Sequence, residues 1–152
     1  MLKVEHDEHC KEIADQLEAV VYGVMMTCPH CGNYTDKRNY YNSDSESCVC
    51  EHCGETVEDA AEADEISLYD YLADEILDME YTVSIEGNGL SLRGCKIMIA
   101  CGGPNIYLNT NSGDVELFWW NEQGRYSMDS DVIEALDEFA REMLECNGYK
   151  VD

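Results

Sequence analysis

Hydrophobic residues near the amino terminus recur at the spacing of a helix. Ile13, Leu17, Val20 and Val21 fall at positions i, i+4, i+7 and i+8 of a segment whose other residues are mostly charged. We therefore predict an amino-terminal helix with one apolar face. The apolar run 20–26 overlaps its end and predicts a strand that leads into a cysteine-containing turn.

The segment 66–152 has the periodicities of an α+β domain. Ser67, three residues before Asp70, is typical of a capped helix start. One face of the helix that follows consists of Tyr69, Leu72, Ala73 and Ile76. A last helix begins near Ser130 and stops near Gly148. Its predicted buried stripe comprises Val132, Leu136, Phe139, Ala140 and Met143.

Between these two helices the pattern changes to that of strands. Alternating or continuous apolar runs predict strands at 81–85, 95–101, 106–109 and 115–120, with a fifth near 125–128. The connections are short and rich in glycine and asparagine. Short connections imply an antiparallel meander of four to five strands, flanked by two helices that cover one face.

Two matched C-x-x-C-G turns lie between the first helix and this domain. We call residues 28–32 and 50–54 the first and second knuckle. Their cysteines are Cys28, Cys31, Cys50 and Cys53, and eighteen residues separate the pairs. This spacing predicts a four-thiolate Zn²⁺ site, which is structural because four thiolates leave no open coordination position. We expect two domains: 1–60, the helix plus this zinc module, and 61–152, the acidic α+β domain.

Alternatives to this ligand set remain open in the sequence. Two disulfides or free thiols would also fit, but the amino terminus has no apolar signal segment, so we expect a reducing cytoplasmic compartment. Cys48 is an alternative ligand to Cys50, and His30 and His52 are expected to be bystanders. His6, His9 and Cys10 have a spacing that could bind a second metal, although a chance polar face is the favoured interpretation.

Charge is the second prominent feature. The chain has 33 acidic and 9 basic residues, for a formal net charge of −24. The segment 39–92 contains 15 acidic side chains and no Lys or Arg. Such a field repels nucleic acid and anionic membranes and attracts a basic surface, although an ordinary soluble acidic protein would have the same composition. No run approaches the ~20 apolar residues of a membrane helix, so we expect a soluble protein.

The sequence predicts no catalytic residue. All four histidines lie at or before position 52, so the larger domain lacks an imidazole for acid–base chemistry. Cys95, Cys101 and Cys146 have no nearby activating partner and fit as small core residues. The 102–105 segment lacks a phosphate-loop pattern and predicts a tight turn. We expect Trp119 and Trp120 on opposite faces of a strand, one in the core and one partly exposed.

The runs 68–72, 74–81 and 100–110, together with 118–120 and the acidic helix 131–138, carry a resemblance. Residues 66–147 resemble small uncharacterised acidic proteins carried by phages and mobile elements of gut-type bacteria. The two knuckles resemble the widespread four-cysteine zinc ribbons. The first resemblance implies a bacterial host cell and a role against host defences, since proteins of such elements often inhibit them.

Charge and resemblance together predict an anti-defence inhibitor, anti-CRISPR-like or antirestriction, whose acidic surface mimics DNA. Its partner would be the basic nucleic-acid channel of a CRISPR effector nuclease or a restriction enzyme, and direct nucleic-acid binding is disfavoured. The alternative is a zinc-ribbon adaptor that binds a host protein through Tyr34, Tyr40, Tyr41 or Trp120. The predicted partner-binding residues are Glu58, Asp59, Glu62, Asp64, Glu65, Asp70, Asp74, Glu75, Asp78 and Trp120.

Overall fold

The computed structural model describes residues 3–37, 48–58 and 65–151. The helices of these segments are α1 (Lys3–Val21), α2 (Leu68–Glu75) and α3 (Ser130–Cys146). The four short strands around the knuckles are β1 (Met25–Thr27), β2 (Tyr34–Asp36), β3 (Cys48–Val49) and β4 (Thr56–Val57). The five longer strands are β5 (Asp78–Glu86), β6 (Gly89–Ala100), β7 (Asn105–Asn109), β8 (Asp114–Trp119) and β9 (Glu122–Ser127).

Strands β5 to β9 form one antiparallel sheet in the order of the chain. The predicted α+β class and antiparallel meander of four to five strands are therefore confirmed, and the number is five. Alternation along the strands separates two faces, because successive side chains point to opposite sides. On β8, Val115 and Leu117 are fully buried, whereas Phe118 on the other face is half-buried.

The helix starts follow local capping chemistry. The Ser67 hydroxyl accepts a hydrogen bond of 3.1 Å from the Asp70 backbone N–H, which confirms the predicted cap of α2. The Asp129 carboxylate caps α3 in the same way by accepting from the Asp131 N–H at 2.9 Å. Gly148 follows the end of α3 with φ of 92°, a left-handed conformation that favours glycine.

Helices α1 and α3 pack on the same side of the sheet. Helix α1 contacts β8 and β9, α3 contacts β6, and the two helices contact each other. Their apolar faces and that of the sheet form one core, which includes Leu17, Val20, Leu72, Ile97, Leu108, Leu117, Leu136 and Ala140. The core thus joins elements from both ends of the chain.

The knuckle region has a much smaller core of its own. It consists of Met26, Cys28, Cys48, Cys50 and Val57. So few apolar groups bury too little surface to hold such a module together alone, so we expect the module to need a further link such as a metal ion.

Some local predictions are wrong. Cys101 and Cys146 were expected in the core, but both are exposed. Val20 and Val21 belong to α1, as their helical spacing predicts, and of the run 20–26 predicted as a strand only the part from Met25 is one. Between the knuckles, Tyr34 of β2 pairs with Thr27 of β1, and 38–47 lies outside the described residues. On α2, Tyr71 and Leu72 are buried, whereas Tyr69 is 56% exposed.

The boundary near residue 60 stays a prediction. Helix α1, which we assigned to the amino-terminal part, contributes Cys10, Ala14 and Leu17 to the core of the sheet. The knuckle module is attached to that core at Met25, whose carbonyl oxygen accepts from the Ile66 N–H at 3.0 Å.

Candidate metal centre and interaction surface

Each knuckle is the tip of a short antiparallel hairpin. The first lies between β1 and β2, where the Cys28 N–H donates to Asn33 at 2.8 Å and the Gly32 N–H donates to Cys28 at 2.9 Å. The second repeats this geometry between β3 and β4, with donation from Cys50 to Glu55 at 3.0 Å and from Gly54 to Cys50 at 2.9 Å. Both glycines have φ of 76°, so both turns require a left-handed residue at the same position.

The four predicted ligands lie together. All four sulfur atoms fall within 4.8 Å of one another. The Sγ atoms of Cys28 and Cys53 are 3.8 Å apart, and those of Cys31 and Cys50 are 3.7 Å apart. Four sulfurs at ~2.3 Å from one ion in a tetrahedron stand ~3.8 Å apart, whereas a disulfide requires ~2.05 Å. The spacing therefore fits a tetrahedral metal site and excludes S–S bonds in this arrangement.

Backbone and side-chain donors around the sulfurs favour thiolates. The His52 N–H lies 3.4 Å from the Cys50 sulfur, and the Asn33 amide donates to the Cys31 sulfur at 3.6 Å. Burial raises the pKa of Cys50, but hydrogen bonds from neighbouring backbone N–H groups and thiols stabilise its thiolate more, so its pKa falls to about 6. The ligating thiolate form is thus favoured at Cys50 near neutrality. At Cys53 a backbone hydrogen bond at Glu55 lowers the pKa, but burial and the neighbouring cysteine sulfurs outweigh it and raise that pKa to about 12.

Cys48 takes another role. It is buried, pairs with Val57 across β3 and β4, and belongs to the small core. Burial and then the nearby Cys50 sulfur raise the pKa of Cys48. The group of close sulfurs contains Cys50 and not Cys48, so the geometry favours the original ligand set over the alternative.

The histidines do not belong to the group of side chains that could share an ion with the sulfurs. His30 contacts the Thr56 carbonyl oxygen at 3.2 Å, and His52 lies 3.7 Å from Glu51. His6 is fully buried, with its Nε2 3.4 Å from a Glu122 oxygen, and Cys10 is buried in the main core. Within the described segments, the four cysteines are the only group of three or more His, Cys, Asp or Glu side chains close enough to hold an ion.

The predicted acidic surface is spread over several elements. Glu65 lies 3.8 Å from the Lys37 ammonium group, and Asp74 accepts a hydrogen bond of 3.3 Å from the Tyr34 hydroxyl. Glu58 and Asp70 are exposed. The others of this set are the half-buried Glu75, the exposed Asp78 at the start of β5, and Asp59, Glu62 and Asp64, which lie outside the described residues.

Helix α3 carries a straighter row of carboxylates, which the sequence reasoning missed as a contact surface. Its exposed acidic residues, which we call the α3 stripe, are Asp131, Glu134, Glu138, Glu142 and Glu145. Spacings of three and four residues place them on one side of the helix. At ~1.5 Å per residue they stand ~5 Å apart along the axis, against ~3.4 Å per phosphate of one DNA strand. The signal was present in the sequence, since the stripe lies opposite the predicted buried face.

Helix α1 adds a second acidic row beside the first. Glu5, Glu8, Glu12 and Asp15 are exposed at spacings of three to four residues. Asp15 is paired with Lys11 at 2.8 Å, so this row is partly neutralised. Because α1 and α3 contact each other on one side of the sheet, that side of the molecule is strongly acidic.

The aromatic residues predicted as contact candidates differ in whether they pack within the fold or are exposed. The Tyr34 ring packs against Tyr71 with a centroid distance of 5.5 Å, so it supports the fold. Tyr40 and Tyr41 lie outside the described residues. Trp119 is half-buried at the end of β8 rather than inside the core, and Trp120 is 90% exposed in the turn after the strand rather than on its opposite face.

The buried thiol of Cys95 has polar neighbours. Its sulfur is 3.8 Å from the Thr110 hydroxyl oxygen and 3.9 Å from an Asp137 oxygen. Burial raises the pKa of Cys95 to about 12. The thiol is therefore protonated near neutrality and a poor nucleophile.

Membrane and family comparisons add two findings. No helix in the described part of the chain is both long and apolar enough to cross a bilayer. The chain matches no known family model, no curated protein and no solved structure. The resemblance to mobile-element proteins therefore stays an expectation.

Proposed function

We propose that this protein is a zinc-stabilised inhibitor that binds the basic nucleic-acid channel of a nuclease, as an anti-CRISPR or antirestriction protein does. The α3 stripe carries the proposal, because it concentrates five exposed carboxylates on one side of a helix. The acids compete with phosphates for Lys and Arg side chains, so binding is strongest at low salt.

The stripe after Asp131 costs stability, which supports a role other than folding, although Arg141 lies within three or four residues of Glu138 and Glu145 and offsets part of the cost. Like charges three or four residues apart destabilise a helix by ~0.2–0.5 kcal/mol per pair. Glu142 and Glu145 also lie near the carboxyl end, where the helix dipole disfavours anions, and the last turn has no basic residue. A helix selected for stability alone would place Lys or Arg at these positions.

The ion in this proposal is Zn²⁺, held by Cys28, Cys31, Cys50 and Cys53. Four thiolates in tetrahedral arrangement suit zinc and leave no position for substrate or water. The bound ion supplies a structural link between the two hairpins and no chemistry. The chain's own contribution is the pair of preformed turns and the amide donors that stabilise thiolates.

A cleavage panel tests the proposal. Purified CRISPR effector nucleases and restriction enzymes are assayed with and without the protein at 50 and 300 mM salt. We expect inhibition of at least one enzyme, an inhibitory concentration that rises about tenfold or more at the higher salt, and protection when substrate DNA is added first. Absence of inhibition across the panel, or inhibition that is indifferent to salt and to DNA, would contradict charge mimicry.

The second candidate is an adaptor that binds a host protein through an aromatic contact and uses its acidity for solubility. Exposure of Trp120 favours it, whereas Tyr34 is occupied within the fold. Salt separates the two candidates, since an aromatic contact weakens little as ionic strength rises.

A further inference from the structure

The tip of the β8–β9 hairpin is a two-residue turn with an unusual first residue. Trp119 pairs with Glu122, which leaves Trp120 and Asn121 as the turn. Trp120 has φ of 54°, and it is the only residue other than glycine with positive φ in the described segments. Hairpin turns normally place Gly, Asn or Asp in this left-handed region, because a bulky side chain is disfavoured there.

Folding gains little from this tryptophan. Its side chain is 90% exposed, and its ring contact is an edge-on approach to Trp119 with centroids 6.5 Å apart. Glycine would relieve the backbone and lose almost no buried surface. Strained residues that contribute little to the core are typical of functional sites.

The base of the turn packs against the core, and acidic residues lie near it. Trp119 is half-buried against the core, and its ring lies next to Gly103 in the β6–β7 turn. Glu122 lies 3.4 Å from His6, which places the turn beside the amino-terminal part of α1. The exposed Glu5 and Glu8 belong to that part of the helix.

We propose that Trp120 is the anchor that enters an apolar pocket on the protein partner, and that Lys and Arg side chains border this pocket. This inference rests on the proposed function and deepens it. The paired strands fix the backbone that presents the indole, and a tryptophan side chain has only two rotatable bonds, so little conformational freedom is lost when it enters a pocket. The acidic residues around it match a basic border, so the pocket lies at the edge of the partner's nucleic-acid channel.

The two kinds of contact act on different rates. Carboxylates steer the encounter and set its salt dependence, whereas a buried tryptophan slows dissociation. Part of the binding therefore survives at high salt, which a purely electrostatic mimic does not achieve.

Trp120→Gly tests the anchor, with Ile85→Ala as a matched control at a residue that is 81% exposed on β5. The panel enzyme that the parent protein inhibits, in a catalytically inactive form, is immobilised, and association and dissociation rates are measured. We expect Trp120→Gly to melt no lower than the parent, because glycine suits this turn. We also expect it to dissociate about tenfold faster, with association changed less than threefold. Ile85→Ala should match the parent.

Four outcomes distinguish failure of the anchor from failure of the proposed function. If the parent inhibits no enzyme, the proposed function fails and the anchor fails with it. If the parent inhibits and Trp120→Gly inhibits equally well, the anchor alone is overturned. The anchor is also overturned if Trp120→Gly lowers the association rate by a larger factor than it raises the dissociation rate. Binding of the parent to neutral phosphatidylcholine vesicles, with a blue shift of emission that Trp120→Phe removes, would overturn it by identifying a membrane as the occupant.

Discussion

Gly124 on β9 lies directly against His6 on α1: a Cβ atom on Gly124 would stand 2.5 Å from the His6 Cβ and 2.7 Å from the His6 carbonyl carbon. No real Cβ atom tolerates such approaches, so only glycine lets the helix come this close to the strand. His6 is fully buried as a result. This contact joins the amino-terminal helix to β9, a strand that lies far from it in the sequence.

Gly124→Ala should lower the free energy of unfolding by about 1–3 kcal/mol, because the added methyl group forces α1 away from β9. The measurement is urea unfolding followed by fluorescence, in which the change comes from Trp119, since it is half-buried against the core, whereas Trp120 is already exposed in the folded state. Gly103→Ala is the control, since its new Cβ would meet only the Trp119 ring at 3.4 Å. Equal stability of the two variants would show that the close contact has no energetic consequence.

Removal of the metal should unfold the knuckle module and leave the sheet with α1 intact. The module's own core is small, whereas α1 is held by the main core. We expect one zinc ion per chain by mass spectrometry and its loss in Cys31→Ser, with most helical circular dichroism retained. Cys146→Ser, at an exposed cysteine outside the cluster, should keep its zinc. Collapse of all structure on chelation would show that the parts fold as one unit.

Neutralising the α3 stripe should weaken inhibition by about tenfold or more, because four carboxylates are lost from one surface. The variant changes Glu134, Glu138, Glu142 and Glu145 to Gln. It should fold at least as well as the parent, since like-charge repulsion along the helix is relieved.

The matched control neutralises four acids of the originally predicted surface, with Asp70, Asp74 and Asp78 changed to Asn and Glu75 to Gln. Both variants have the same change in net charge, so a difference between them locates the binding surface. If the control variant inhibits less than the α3 variant, the binding surface is the one predicted from sequence and not the α3 stripe.

Alkaline pH should destabilise the protein above about pH 9. Burial raises the pKa of Cys95 from 9.0 to about 12 and that of Cys10 from 9.0 to about 11. Between these values the unfolded thiols release protons and the folded ones keep theirs, so the unfolded state is favoured as pH rises. Each thiol contributes a loss of up to ~1.4 kcal/mol per pH unit in that window. Urea midpoints at pH 8 and pH 10 measure the effect.

Cys95→Ala is the variant that checks the cause of this pH dependence. It should be less stable than the parent at pH 8, because a buried side chain is shortened, but should lose less stability between pH 8 and pH 10. An identical loss in the variant and the parent would assign the effect to other groups.

The sequence alone determined the features that depend on neighbours along the chain. Two C-x-x-C-G turns each chelate locally, so Cys28, Cys31, Cys50 and Cys53 could be identified from spacing. Short turns between apolar strands imposed the antiparallel meander. Ser67 marked a helix start because its hydroxyl accepts a hydrogen bond from a residue only three positions later. Each of these rests on contacts within one hairpin or one helical turn.

Tertiary structure decided what depends on residues distant in sequence. Periodicity identified the apolar face of α1 but not its partner, and the close contact of His6 with Gly124 couples residues more than a hundred positions apart. The run 20–26 fits both a helix end and a strand by its local pattern, and burial of Val20 in the main core keeps that residue in α1. The left-handed backbone of Trp120 follows from strand register, which only the paired sheet sets. Local patterns encode elements, whereas the burial of one element against another is a property of the whole chain.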